Sequence, residues 1–302
     1  MKVMPALTFR QLRYFEAAAR LGHFGKAAGE CAVSQPALSM QIKELEETLG
    51  AALFERRPGE IVLTQIGREI AEQASKILLA ANDLAAIARH RSKILNGPLS
   101  LGIIPTLAPY ILPELLKYLA KHFPALKLEL REAQTKAMLG ELSRGELDLV
   151  MAAIPNDKSD LHEEHLFEDR FLLAVASEEM RRTRVDPETL DPSNLILLEE
   201  GHCLRDQALS FCSHERGITK AGLGATSLST VMQMVANGYG ATFIPEIAAE
   251  TEARGRKLSL QRFTSPEPSR KIGLVWRKTS PRKRDFEAFG AAVKEALKLR
   301  KK

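Results

Sequence analysis

From residue 6 to residue 95, apolar positions recur at helical spacing, with one short break at 56–63. Phe9, Leu12, Phe15 and Ala19 mark a first helix that Gly22 ends, and Ala27, Ala28, Cys31 and Val33 mark a second, short helix and its exit. Ser34 is placed to cap a third helix, with Pro36 in its first turn, where a missing N–H costs nothing. That helix carries Leu38, Ile42, Leu45 and Leu49 on one face and Pro36, Ser39, Met40 and Lys43 on the other, with Gln35 near the first turn. After Asn96-Gly97-Pro98 the pattern changes. Strand-like runs at 99–104, 126–130, 147–154, 171–176, 195–198, 241–244 and 272–276 alternate with amphipathic helical segments at 108–122, 136–144, 204–215 and 227–237, and a last helix is expected over 284–299. The alternation predicts a largely parallel α/β sheet system, joined to the helical unit at Gly97-Pro98.

A short helix, a tight turn and a capped helix with small polar residues at its start form the helix-turn-helix pattern. In that motif the second helix enters the major groove by its N-terminal residues. Ser34, Gln35, Pro36 and Ser39 stand at that end; Gln and Ser donate and accept at base edges, and Lys43 suits a phosphate. Arg56-Arg57-Pro58-Gly59 is a basic turn leading into a strand at 61–63, the form of a wing beside the groove. Periodicity alone fits an ordinary helical core better than a DNA-binding motif.

Thr64 can cap a long helix running to about Leu95. Within it Ile70, Ala74, Ile77, Ala81, Leu84 and Ala88 alternate spacings of four and three, a heptad seam with small residues at every second position. About 30 residues at 1.5 Å each span roughly 45 Å. A stripe of that length packs either on its own domain or on a second copy of the chain.

Composition narrows the class. The 302 residues suggest two domains, or three if one is small. Charged residues at 27%, with 19 Gly and 15 Pro, are ordinary globular usage and argue against disorder or a collagen-like chain. No apolar run approaches the length of a membrane span, and Met1 to Leu12 lacks the apolar core of a secretory leader, so a cytoplasmic protein is expected. The net charge of +5 permits nucleic-acid binding without diagnosing it. Three cysteines, Cys31, Cys203 and Cys212, cannot build a disulfide framework. No Cys/His set has zinc-ligand spacing, so neither a metal nor a cofactor is expected.

Cys203 follows the strand at 195–198, at a strand-to-helix turn. A helix N-terminus with Arg205 or a protonated His202 nearby would lower its pKa and favour the thiolate. Peroxide oxidises a thiolate to a sulfenic acid, which a second thiol can capture. Cys212 lies nine positions on; within one helix that is about 13.5 Å of rise and about 900° of rotation, so the thiols face opposite ways. A disulfide needs Cα atoms within roughly 7 Å, so such a pair closes only if the helix unwinds. Two inert buried thiols are the other reading. Cys31 falls on an inward-facing position, as a small core hydrophobe. Thr106 and Thr135 each follow a strand and precede a helix, and either line a cleft at the strand ends or simply cap helices.

The residues Phe9-Arg10-Gln11-Leu12-Arg13-Tyr14-Phe15, Ala27-Ala28, Val33-Ser34-Gln35-Pro36-Ala37-Leu38-Ser39, Ile42-Lys43-Glu44-Leu45-Glu46, Leu49-Gly50, Leu53-Phe54-Glu55-Arg56 and Leu63-Thr64-Gln65-Ile66-Gly67, in order and correctly spaced, resemble the DNA-binding domain of LysR-type transcriptional regulators. The resemblance implies an α plus α/β chain. A winged helix-turn-helix domain would occupy residues 1–64, a linker helix for dimerisation 65–97, and a regulatory domain 98–302. The regulatory domain would have two lobes, 98–168 with 271–302 and 169–270, with a cleft between them as in periplasmic binding proteins. It also implies a homodimer, expected to assemble further to a homotetramer, on promoter DNA of partial two-fold symmetry, with RNA polymerase as a partner and no membrane contact.

Leu198-Glu199-Glu200-Gly201-His202-Cys203-Leu204-Arg205-Asp206-Gln207-Ala208 and Phe211-Cys212 resemble the sensing segment of peroxide-responsive LysR-type activators. Ile104-Pro105-Thr106, Glu132-Ala133-Gln134-Thr135, Ala225-Thr226-Ser227-Leu228, Glu267-Pro268, Arg270 and Ile272-Gly273-Leu274-Val275 support the match. Carried over residue by residue, Cys203 would react with hydrogen peroxide and Cys212 would resolve it as an intrachain disulfide, with Thr106, Thr135, His202 and Arg270 around the reacting sulfur and oxidative-stress defence genes as the output. Gly222-Leu223-Gly224 lacks the His or Arg of some relatives, which puts the surroundings of the oxidised form in doubt. Two rivals remain: a LysR-type regulator with a small-molecule effector in the inter-lobe cleft and incidental cysteines, and a thiol peroxidase. The DNA-binding pattern and the lack of a Cys-x-x-Cys motif or catalytic triad argue against an enzyme.

Overall fold

The structure, a computed structural model, describes residues 7–57, 60–89, 94–179, 184–211 and 224–300. The chain forms two compact units, Met1–Arg89 and His90–Lys302.

In the first unit, α1 (Phe9–Leu21) opens with a capping box in which Thr8 Oγ1 accepts from the Gln11 amide and Gln11 Oε1 accepts from the Thr8 amide. It ends at Gly22 in the left-handed region. In α2 (Phe24–Glu30), His23 Nδ1 accepts from the amides of Gly25 and Lys26. In α3 (Gln35–Leu49), Ser34 Oγ accepts from the Ala37 amide, the expected cap. Leu12, Phe15, Ala18, Ala27, Leu38, Ile42, Leu45 and Leu53 form the shared core. Strands β1 (Phe54–Arg57) and β2 (Glu60–Leu63) pair antiparallel as the wing. Glu46 Oε1 accepts from the amides of Leu53 and Phe54, at 2.7 and 3.3 Å, and so holds the start of β1. β1 departs from the sequence expectation, in which its basic residues read as a turn. Thr64 Oγ1 accepts from the Gly67 amide at 2.9 Å and caps α4 (Gln65–Arg89). The heptad seam of α4 is divided. Ile70 and Ala74 pack on the unit's own core, whereas Ile77 and Leu84 stand open, 43% and 70% exposed.

The second unit contains β3 (Gly97–Ile103), α5 (Ala108–His122), β4 (Leu126–Glu132), α6 (Thr135–Arg144), β5 (Leu149–Ile154), β6 (Leu161–Ala176), β7 (Leu197–Leu198), α7 (Cys203–Ser210), β8 (Gly224–Ala225), α8 (Leu228–Ala236), β9 (Thr242–Pro245), α9 (Glu246–Ala253), β10 (Leu258–Arg262), β11 (Ser269–Arg277) and α10 (Lys283–Arg300). The main sheet runs β4-β3-β5-β11-β6-β10, with β9 also paired to β6. Its architecture follows from β6. Residues 161–170 of that strand pair with β11, and residues 171–176 pair with β9 and β10. One strand therefore belongs to two lobes. One core gathers Leu99, Leu101, Leu149, Met151, Trp276, Phe286 and Phe289; the other gathers Phe171, Leu173, Val231, Met232, Phe243 and Phe263.

The expectation of a largely parallel sheet needs correction. β3 is parallel to β4 and β5, and β7 is parallel to β8, but every ladder made by β6 and β11 is antiparallel. Long crossing strands that lead out of one lobe and back run in opposite senses, which strand–helix alternation does not reveal. The polar half of β6, α9 and β10 was also missed. The helix expected over 204–215 ends at Ser210, and its continuation from residue 212 lies outside the described residues.

Candidate functional site

Cys203 is the first residue of α7, packed against the core of the first lobe although its helix belongs to the second. Its thiol is free. The positive charge that bears on it is Arg270, from β11; Arg205 instead donates through Nη1 to the Leu198 carbonyl at 3.1 Å. This corrects the expectation that Arg205 activates the thiol. Burial pushes the Cys203 thiol up from its ordinary value, and Asp206 adds to the rise. The Arg270 charge, the Thr135 hydroxyl and the Leu204 amide pull the other way. The expected low pKa is therefore not found: the desolvation cost of a buried thiolate outweighs these favourable groups.

Arg270 is itself buried. Its Nη1 donates to Thr106 Oγ1 at 2.9 Å and its Nη2 to the Thr106 carbonyl at 3.2 Å. Its Nε and Nη2 reach Asp169 Oδ2 at 3.0 and 2.9 Å. Thr106 therefore joins the first strand end to the arginine. Neither threonine caps a helix: Leu107 and Gln134 hold the N-cap positions of α5 and α6 without side-chain caps. Thr135 Oγ1 is buried with no regular hydrogen bond among the described residues, which leaves it available to the Cys203 sulfur. His202 is buried at the N-cap of α7 and, with Thr106, Tyr110, Gln134, Ser227 and Glu252, lines a cavity of about 430 Å³ between the lobes. Cys203, Thr106, Thr135, His202 and Arg270 thus lie in one neighbourhood. Cys212, Gly222 and Leu223 lie outside the described residues. Among the described residues, no group of three or more His, Cys, Asp or Glu is placed to hold a metal ion.

Three further groups at this site were missed in the sequence. Asp169 is opposite Arg270 in the β6–β11 register. Gln134 Nε2 donates to the Glu200 carbonyl at 3.2 Å, tying the start of α6 to the turn ahead of Cys203. Tyr110 donates to Glu252 at 2.9 Å, and Arg256 bridges Glu252 and Ser229, a buried polar link from α5 to α9 and α8. Burial and Glu252 push the Tyr110 hydroxyl well above its ordinary value. No sequence signal marked Asp169, which lies in the charged run Glu168-Asp169-Arg170 where a carboxylate reads as solvent-facing.

On the first unit, Ser34, Gln35, Pro36 and Lys43 are exposed along the start and outer face of α3, and Ser39 is half-buried beside them. Met40 is also exposed on that face. Lys43 lies 3.7 Å from Glu47, a loose exposed pair that a phosphate can displace. Arg56 and Arg57 belong to β1, but their side chains lie outside what is described.

Residues 9–68 match the family described as bacterial regulatory helix-turn-helix protein, lysR family, and residues 93–298 match the LysR substrate binding domain. The chain belongs to the LysR family. As a LysR-family protein it is a DNA-binding transcription regulator and not an enzyme. It is 38% identical over 293 residues, 96% of each chain, to the DNA-binding transcriptional dual regulator OxyR of Escherichia coli K12. It is 37% identical over 295 residues, 97% of each, to a hydrogen peroxide-inducible genes activator of Dickeya chrysanthemi. Among solved structures, a full-length OxyR variant from Pseudomonas aeruginosa superposes with a TM-score of 0.75 at 32% identity, covering 95% of this chain and 94% of that one. A cysteine variant of Corynebacterium glutamicum OxyR, H2O2-bound, gives a TM-score of 0.65 at 35% identity, covering 99% and 94%. The LysR fold accounts for both units: a winged helix-turn-helix with its long helix, and a two-lobed regulatory domain. No helix among the described residues is long and apolar enough to cross a membrane.

Proposed function

We propose that this LysR-family regulator senses hydrogen peroxide through Cys203 and converts the oxidation into a change in DNA binding, as an OxyR-like activator of oxidative-stress defence genes in the cytoplasm. The observation that carries the reading is the meeting of Cys203 with Arg270, Thr135 and Thr106 where the two lobes join. Burial keeps most of the thiol protonated, so the reaction draws on a thiolate minority that Arg270, Thr135 and the Leu204 amide favour. The Cys203 sulfur attacks one peroxide oxygen, the O–O bond breaks, and the leaving hydroxide takes up a proton to leave as water. Arg270, Thr106 and Thr135 hold the peroxide and the charge that develops on the leaving oxygen, and His202 closes the pocket. The Cys212 sulfur then displaces hydroxide from the sulfenic acid, giving an intrachain disulfide and a second water.

Closing that bond is coupled to refolding. Phe211, eight residues after Cys203, stands about 12 Å further along the helix axis. A single step of about 3.8 Å beyond it cannot bring a Cα within roughly 7 Å of Cys203 while α7 stays wound. The Phe211 ring rests on Phe171 and Phe243 at 5.6 and 6.2 Å, so unwinding α7 disturbs the core of the second lobe. That repacking supplies two states of the regulatory domain for the assembly to respond to. Dimerisation through the open face of α4, tetramer formation through the lobes, reading of partly two-fold promoter sites by Ser34, Gln35, Pro36, Ser39, Lys43, Arg56 and Arg57, and contact with RNA polymerase complete the reading.

The test is peptide mapping of the Cys31→Ser, Cys203→Ser and Cys212→Ser chains after peroxide, paired with promoter footprinting. Cys203→Ser is expected to abolish the response, Cys212→Ser to weaken or alter it, and Cys31→Ser to change little. A footprint that still shifts in Cys203→Ser refutes the sensor. The cavity of about 430 Å³ would then favour the second reading, a small-molecule effector between the lobes.

A further inference from the structure

Arg270 and Asp169 face one another across β11 and β6, both side chains almost wholly buried at 0% and 2% exposure. A guanidinium has five N–H groups. Nε donates to Asp169 Oδ2, Nη2 donates to the Thr106 carbonyl and lies 2.9 Å from the same Asp169 oxygen as an ion pair, and one N–H of Nη1 donates to Thr106 Oγ1. Among the described residues, one N–H of Nη1 has no hydrogen-bond partner, on the group whose charge bears on the Cys203 sulfur. The second carboxylate oxygen, Oδ1, accepts from the Ile247 amide at 3.1 Å, in the first turn of α9. Without Asp169, Arg270 would keep, among the described residues, its two bonds to Thr106.

We propose that Asp169 is a positioning residue for the Cys203 sensor: it fixes the orientation in which Arg270 presents its charge to the sulfur, and ties that orientation to the start of α9. The proposal rests on Cys203 being the sensory thiol. Two effects of the carboxylate oppose each other. By gripping the guanidinium, Asp169 favours the thiolate; by its own charge it disfavours it. The other charged and titratable groups around the site are Asp206, which bears on the sulfur; Glu246, which bears on Asp169 and is itself paired with Arg262; Glu132 on the pocket wall; and the Tyr110–Glu252–Arg256 link, on whose tyrosine the Arg270 charge also bears. Arg205 is engaged with the Leu198 carbonyl. His202 adjoins the thiol in sequence. Because the two effects have opposite sign, the direction of a change in thiol acidity identifies which one governs.

The measurement is the rate of iodoacetamide alkylation at Cys203 against pH, followed by peptide mass mapping on the full-length reduced chain, with no DNA or peroxide present. Asp169→Ala should raise the titration midpoint by about one unit, a roughly tenfold loss of rate at a fixed pH below it. Asp169→Asn leaves one oxygen for Arg270 and removes the charge, so its midpoint should return to the wild-type value or below. An alanine variant with an unchanged or lowered midpoint overturns the proposal, and so does an asparagine variant as high as alanine. Folding is checked by the fluorescence of Trp276, the single tryptophan. If alanine fails to fold, Asp169→Glu carries the test. It keeps the charge but displaces the grip by a methylene, so the midpoint rises if position governs, and an unchanged midpoint overturns the proposal. These outcomes are read on the thiol itself, whereas the sensor reading stands or falls on the footprint of Cys203→Ser.

Discussion

Gly201, two residues before Cys203, adopts φ +90°, and its missing side chain matters to the site. A Cβ placed there would lie 2.7 Å from Gln134 Cδ and 2.9 Å from Nε2, with Oε1 closer still. The amide of Gln134 is the free end of a flexible side chain and can swing away, so the steric cost is the hydrogen bond it makes to the Glu200 carbonyl, about 0.5–1.5 kcal/mol. An L residue held at this φ adds about 1–2 kcal/mol of backbone strain. Alanine also reduces the freedom of the unfolded chain, which returns about 0.4–1 kcal/mol. The net expectation for Gly201→Ala is a loss of about 2 kcal/mol. For a domain of this size that lowers Tm by about 4–8 °C in a thermal melt of the reduced protein. Cys203 should also become more readily alkylated, because the turn that seats it loses its tie to α6. Gln134→Ala alone removes the same hydrogen bond, so Gly201→Ala added to that background should cost only the backbone part, about 1 kcal/mol. A loss below about 0.5 kcal/mol for Gly201→Ala, or an equal cost in both backgrounds, would refute the division between strain and contact.

Further outcomes follow from the same geometry. A Cβ at Gly67 would lie 3.0 Å from the Leu53 carbonyl carbon and closer to its oxygen, a backbone contact that cannot yield; Gly67→Ala should cost several times more than Gly201→Ala, as measured by urea unfolding of the full chain. Ala32, by contrast, already sits at φ +55° in the turn before α3, so Ala32→Gly should gain about 0.5–1 kcal/mol in the same assay, leaving operator affinity unchanged. Ile77→Asp, on the open face of α4, should leave the far-UV spectrum intact and split the dimer in sedimentation; an undisturbed dimer would move the interface elsewhere. The Cys203 thiol holds its proton to higher pH when folded, so its contribution is complete below the unfolded value near 9.0 and is lost as pH rises through the folded value. Tyr110 behaves likewise above 10.0. Stability of the reduced chain should therefore fall on the alkaline side, less steeply in Cys203→Ser and in Tyr110→Phe; equal slopes would contradict the burial assigned to both groups.

Features that depend on neighbours within a few positions were legible in the chain. Ser34 and Thr64 cap the helices they precede, Gly22 ends α1, and the apolar face of α3 is the one that is buried, because capping and helical periodicity act over three or four residues. The placement of Cys203 at a strand-to-helix turn was legible for the same reason. Only the tertiary structure decided what that thiol experiences. Its acidity is set by burial against the first lobe and by Arg270, which is 67 residues away in sequence and brought near by the β6–β11 ladder, and not by Arg205, its neighbour in the chain. The pairing of Asp169 with Arg270 is a matter of strand register, and register depends on partners that local periodicity cannot name. The same holds for β6: the chain shows an apolar run at 171–176, but that the strand begins ten residues earlier and carries both lobes depends on β11 lying beside its polar half. It holds too for the seam of α4, where one uniform heptad pattern is divided into a covered and an open part by where the winged domain ends, which the pattern itself does not record.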